Sequence, residues 1–246
     1  MLAFAHRGAT DKAPENTMAG FQDAVDLGYR FLETDIQASR DGTAFVFHDD
    51  DLERLTGQSG KIADLGDLEI GRLRINGHHQ IPKLSELFET FPDSMFNLDI
   101  KSWPAVEPMA KVISHSNMQR QVCIGAFSDA RISAALRHLG PDTCHSIGIS
   151  NSIRFYVAAQ LGIKLRFTAD CIQLPMRSYG VDLITQKTID YAHKFGLKVH
   201  VWTINDALTI DRLIGMGVDG IMTDECDLLK SRLKAHDLWK PLGHAT

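Results

Sequence analysis

Glycine recurs where a helix-like stretch ends and a strand-like run is about to begin, at Gly28, Gly140, Gly162, Gly196 and Gly217. Helices commonly close on a residue in the left-handed conformation, which glycine adopts at no steric cost, so the series marks αβ loops. Strand-like runs at 2–5, 31–36, 95–100, 122–125, 143–147, 167–174, 198–204 and 220–223 alternate with helix-like stretches at 18–27, 83–91, 105–115, 130–139, 153–161, 188–195, 207–216 and 228–235. Eight consecutive βα units in 246 residues point to an α/β fold of the TIM (β/α)8 barrel type, with an open doubly wound sheet as the alternative. The expected organisation is one domain over residues 1–246. A small, polar, glycine-containing insertion at about 52–80 falls between strand 2 and helix 2, expected to lie over the site.

A barrel places its chemistry at the C-terminal ends of its strands, and the polar residues of this chain fall there. His6 and Arg7 end the first strand; Glu33 and Asp35 end the second; Asn97, Asp99 and Lys101 end the third; Gln173 ends the sixth; His200 and Trp202 end the seventh. Side chains two apart on a strand share a face, so Glu33 and Asp35 project together. Two like charges so placed repel unless a cation or a proton sits between them, and a divalent metal is the economical answer. After a turn at Asp41-Gly42 the chain resumes as a strand over 43–47 that delivers His48 and Asp49. Blander readings stand beside these. Lys101 could only pair with Asp99, Trp202 could be a core or lid aromatic rather than a substrate platform, and Asp49, Asp50 and Asp51 could form a solvated turn. His115, His138, His193, His236 and His244 read as surface, and His78-His79 has no third ligand near it in sequence.

Charge and composition narrow the partners. A formal net charge of -5, from 26 basic and 31 acidic residues, leaves no electrostatic footprint for nucleic acid or an anionic membrane. Cys123, Cys144, Cys171 and Cys226 show no CxxC spacing and read as buried reduced thiols. No stretch has the make-up of a secretory leader or the length of apolar sequence needed to cross a bilayer, so the expected setting is cytoplasmic.

An ordered set of motifs resembles the glycerophosphodiester phosphodiesterase family: HRG at 6–8, PENT at 14–17, ETD at 33–35, FVFHDDDLERLTG at 45–57, IPKLSELF at 81–88, NLDIK at 97–101, VWTIND at 201–206 and GVDGIMTD at 217–224. The resemblance implies the barrel, a divalent cation such as Mg²⁺ or Ca²⁺ with Mn²⁺ also suitable, and hydrolysis of small-molecule glycerophosphodiesters to glycerol 3-phosphate and an alcohol. Carried onto matching positions, Glu33, Asp35 and Asp99 become metal ligands, His6 and His48 the acid and base, and Lys101 a stabiliser of phosphate charge. From their places at the strand ends, Arg7, Gln173 and Trp202 are expected to face the substrate. Asp99 stands where the family more usually has glutamate, so its shorter reach bears on metal affinity or preference. The chemistry agrees: all-oxygen ligands suit a hard cation, histidines suit proton transfer near neutrality, and cationic side chains stabilise an anionic transition state. Two other functions use the same scaffold, a lysophospholipase D acting on lipid phosphodiesters and a barrel that binds a ligand without cutting it.

Overall fold

A computed structural model of the chain describes residues 1–240. In chain order the elements are β1 (Leu2–His6), α1 (Met18–Asp26), β2 (Phe31–Ala38), β3 (Ala44–Val46), α2 (Glu53–Thr56), a 3-10 turn (Ile62–Asp64), α3 (Asp67–Ile70), α4 (Leu84–Thr90), β4 (Met95–Ile100), α5 (Val106–His115), β5 (Val122–Gly125), α6 (Asp129–Leu139), α7 (Ile149–Leu161), β6 (Cys171–Pro175), β7 (Arg177–Ser178), β8 (Val181–Asp182), α8 (Gln186–Lys194), β9 (Lys198–Trp202), α9 (Ala207–Met216), β10 (Gly220–Thr223) and α10 (Cys226–Ala235).

The parallel strands pair in the order β5-β4-β2-β1-β10-β9-β6, so the first strand lies between the second and the last. The curved sheet is carried round to β6 by residues 143–147, which pair in parallel with both neighbours through single bridges, Ile124 to His145 and Ser146 to Cys171. Backbone bonds from Ile124 N–H to Cys144 O at 2.8 Å and from Asp170 N–H to His145 O at 3.0 Å complete the seam. The expectation of a strand over 143–147 is therefore met only as a stretch of bridges. The strand expected from residue 167 begins at Cys171, and the seventh helix starts four residues earlier than its apolar pattern suggested, at Ile149. The β7–β8 hairpin had no counterpart in the sequence reading.

Alternation along the strands decides what fills the barrel. Phe4 packs against Phe31 and His200, with ring centroids 5.3 and 5.0 Å apart, and His6 follows Phe4 on the same face one pleat further. Register then sets Glu33 beside Asn97 and Asp35 beside Asp99 across β2 and β4. The lower barrel is thus apolar and aromatic, and the acidic side chains stand above it. Outside the barrel the other faces pack on the helices: Leu32, Ile36, Leu98 and Ile124 are fully buried with Phe21, Leu87, Met109 and Phe155.

β3 runs antiparallel to β2 from the Asp41-Gly42 turn and carries a smaller core of its own. Phe45, Phe47, Leu52, Leu55, Ile62, Ile70, Ile75 and Ile81 pack together beneath the segment that holds α2, the 3-10 turn and α3. Each such side chain contributes about 1.5–3 kcal/mol when fully buried, enough together to hold a segment with little regular structure. Among the described residues no helix is long and apolar enough to cross a membrane.

Candidate active site

The turn after β1 builds the first half of the site. Arg7 adopts a left-handed backbone conformation, φ 60°, while its N–H is held by Glu33, at 3.0 Å to the backbone oxygen and 3.2 Å to Oε2. Gly8 follows at φ 90°, and a Cβ there would stand 2.7 Å from the carbonyl carbon of Gly20; only glycine lets this turn sit so tightly on α1. Thr17 caps α1 by accepting from Gly20 N–H at 3.2 Å. That leaves Asn16, itself left-handed at φ 57° and fully buried, free to donate to Asp35 Oδ2 at 2.9 Å and accept from Thr34 Oγ1 at 2.8 Å.

The two carboxylates of β2 have unequal surroundings. Asp35 meets Arg7 Nε at 3.1 Å and Lys101 Nζ at 3.2 Å, and although burial pushes its pKa up, Lys101 and Arg7 hold it below the ordinary value. Among the described residues the Glu33 carboxyl meets only the Arg7 N–H and, at 3.9 Å, His6 Nε2. Burial first, and the Asp35 charge second, raise its pKa well above the usual carboxylate range. Lys101 also meets Asp99 Oδ2 at 3.0 Å, so the ion-pair reading of Lys101 is correct as far as it went, with Asp35 as an additional partner.

Each site histidine is oriented by a carboxylate at Nδ1. His6 Nδ1 lies 2.7 Å from Asp224 Oδ1, and Asp224 is fixed in turn by Asn205 Nδ2 at 2.8 Å. Burial works against the charged form of His6, yet the Asp224 bond and the Glu33 charge raise its pKa above the ordinary value. His48 Nδ1 lies 2.5 Å from Asp49 Oδ1. Asp49 accepts from Arg54 Nε at 2.6 Å, and Arg54 also donates to both oxygens of Glu15, at 2.8 Å each. Glu15 receives Arg7 as well, so a chain of ion pairs joins the two histidine arms. The reading of Asp49 as a solvated turn residue is thereby corrected: it is half-buried and positions His48, whereas Asp50 and Asp51 are exposed.

A cleft of about 510 Å³ opens on the His48 and Lys101 side of this floor, lined by His48, Asp49, Arg54, Asp99, Lys101 and Phe127 among others, while His6, Arg7, Glu33 and Asp35 are not among its lining residues. Phe127 stacks on Trp202 with centroids 6.1 Å apart, and Lys101 Nζ lies 5.7 Å from its ring centre. Trp202 therefore stands at the rim through Phe127. Gln173 is turned inward, donating to Asn97 Oδ1 at 2.6 Å, and is not among the residues lining the cleft. Asp224, Glu15, Arg54 and Phe127 escaped the sequence reading. The rule applied to the other strands would have reached Asp224, which follows the last residue of β10. His115, His138, His193 and His236 are exposed as expected; His244 lies outside the described residues.

The donors suit a hard cation chemically: three carboxylates stand on adjacent, in-register strands, and the Glu33 carboxyl is buried with no lysine or arginine side chain in contact among the described residues. As arranged, Lys101 fills the gap between Asp35 and Asp99, and among the described residues no three acidic, histidine or cysteine side chains converge to hold an ion.

Residues 6–228 match the model of the glycerophosphoryl diester phosphodiesterase family. A protein of Mycobacterium tuberculosis named probable glycerophosphodiester phosphodiesterase 2 is 37% identical over 97% of this chain and 92% of its own length. The glycerophosphodiester phosphodiesterase of Caldanaerobacter subterraneus is 29% identical over 93% of this chain and 96% of its own. Among solved structures, an Oleispira antarctica phosphodiesterase in complex with the product sn-glycerol-3-phosphate superposes with a TM-score of 0.80 at 21% identity, covering 95% of this chain and 97% of that one.

Proposed function

The chain belongs to the glycerophosphoryl diester phosphodiesterase family and is a phosphoric diester hydrolase, and from that premise we propose that it hydrolyses small glycerophosphodiesters, such as glycerophosphocholine or glycerophosphoethanolamine, to glycerol 3-phosphate and an alcohol, with His6 and His48 moving the protons. The observation that carries the histidine roles is that each ring is anchored at Nδ1 by a carboxylate, Asp224 for His6 and Asp49 for His48. With Nδ1–H donated to an anion, Nε2 is the atom left to exchange a proton, and the neighbouring carboxylate stabilises the imidazolium that forms.

Glu33, Asp35 and Asp99 are the residues that would hold a divalent cation, Mg²⁺, Ca²⁺ or Mn²⁺. Bound there, such an ion supplies Lewis-acid polarisation of the phosphoryl oxygen. The chain's own cations do the rest. Lys101 faces the cleft and offsets charge gathering on the equatorial phosphoryl oxygens, while Arg7 keeps Asp35 ionised. One alcohol must depart as its oxygen gains a proton, and the attacking oxygen, from water or a substrate hydroxyl, must lose one. Two imidazoles of complementary protonation meet both needs.

The Phe127–Trp202 stack favours one second reading, in which an apolar chain lies along that wall and the substrate is a lysophospholipid. The decisive assay measures glycerol 3-phosphate release from glycerophosphocholine and choline release from lysophosphatidylcholine, after chelation and after each metal is restored. Turnover of the small diester is expected to vanish with chelator and return with metal, and to fall about 10²-fold or more in His6→Ala and His48→Ala. A near wild-type rate in either variant removes that histidine from the mechanism, and preference for the lysolipid replaces the small-diester reading.

A further inference from the structure

Three of the four cysteines gather inside the barrel, below the acidic layer. Cys123 Sγ and Cys171 Sγ are 3.8 Å apart, and the parallel register of Ile124 with His145 sets Cys144 opposite Cys123. Cys123 and Cys144 precede the bridged residues Ile124 and His145 and are themselves side by side on neighbouring parallel strands. On the neighbouring strand β9, His200 is in register with Gln173, two residues along from Cys171; it is 5% exposed, and both ring nitrogens are buried without a hydrogen-bond partner among the described residues. None of these groups enters the hydrolytic site. The residues Cys123 and Cys144 are partly exposed and Cys171 is buried, so the first two are the nearer to solvent.

We propose that Cys123 and Cys144 form a reversible modification site, joined as a disulfide by a hydroperoxide, with Cys171 and His200 taking up the proton that Cys123 releases. Which pair bridges follows from strand spacing. Adjacent strands lie about 4.8 Å apart, within the roughly 4.4–6.8 Å between α-carbons that a disulfide spans. Cys123 and Cys171 sit on strands separated by the 143–147 seam, about twice that distance; their sulfurs touch, but their backbones stand too far apart to be joined.

The chemistry balances in two steps. The Cys144 sulfur attacks the peroxide, the O–O bond breaks, and a sulfenic acid and one molecule of water or alcohol result. The Cys123 sulfur then attacks that of Cys144, its proton passes through the Cys171–His200 pair to the sulfenic oxygen, the S–O bond breaks, and that oxygen leaves as water. Two thiols have lost two electrons and the O–O bond has taken them. The resulting bridge closes the loop that carries Phe127 and Arg131 of the cleft wall, and dithiothreitol reopens it.

The test treats the full chain with hydrogen peroxide, quenches with an alkylating agent, and maps the peptides without reduction. A linked Cys123–Cys144 peptide, with Cys171 and Cys226 alkylated, is expected. Cys226→Ser should link identically, Cys144→Ser should not link at all, and Cys171→Ala should give the same link about tenfold more slowly. A Cys123–Cys171 link, or sulfinic acid without any link, in the wild-type chain overturns the proposal. An unchanged rate in Cys171→Ala overturns the part given to Cys171 and His200.

Discussion

At the level of single residues, two carboxylates stand behind the imidazoles of the site. Asp49 and Asp224 each hold an imidazole by Nδ1, and an amide in their place removes the charge that stabilises the imidazolium while leaving the shape. Asp49→Asn and Asp224→Asn are each expected to lower kcat by about 10–100-fold with little change in KM, in steady-state assays of glycerol 3-phosphate release. Loss in KM alone would assign these residues to binding instead. Sequence spacing made Glu33, Asp35, Asp99 and Lys101 legible because a period of two is a local signal. Asp224 was hard to see because it meets His6 across 218 residues of chain, and Arg54 because its partner Glu15 is 39 residues away. The strand-end rule reaches Asp224 as a residue, but local pattern does not announce its partner.

At the level of elements, strand and helix order followed from the apolar pattern and the glycine stops, and the exceptions have causes. Residues 143–147 pair through single bridges, so their alternation indicated a face without indicating ladder length. β3 was legible from its turn, yet the small core beneath it was not, because Ile62, Ile70, Ile75 and Ile81 are scattered through a polar segment. The α1 cap tests how much one terminus matters. Thr17 is fully buried, accepts the Gly20 N–H and donates to Pro14 O at 2.7 Å. Thr17→Ala is expected to cost about 1–2 kcal/mol in urea unfolding, and to leave the pairing of Asn16 with Asp35 intact if the cap is its main role. A loss of activity exceeding the loss of stability would show instead that the turn over Asn16 depends on it.

For the whole molecule, charge sets a floor on the pH at which the barrel persists. Asp219 precedes β10 and accepts from Val199 N–H at 2.8 Å and from His193 Nε2 at 2.7 Å, with Lys198 Nζ at 3.2 Å. Burial raises its pKa, but the backbone and His193 bonds outweigh that and hold it below the ordinary 3.8. A depressed native value means that the unfolded chain takes up the proton first, so this contribution is complete above about pH 4 and is lost as pH falls through the native value. Urea midpoints should therefore drop between pH 6 and pH 3, and Asp219→Asn should be destabilised by about 1–2 kcal/mol at pH 6 while showing a shallower acid limb. An equally steep limb in the variant would place the acid sensitivity elsewhere.

The strand order also carries a schedule. β1 is made first and pairs with β10, which is made last, and His6 waits for Asp224 across 218 intervening positions. A ribosome adding 5–20 residues per second needs about 10–40 s to cover that stretch. Throughout it, one edge of β1 has no neighbour and the first histidine has no anchor. A nascent chain stalled before residue 220 therefore has most of its barrel and lacks the carboxylate that orients His6.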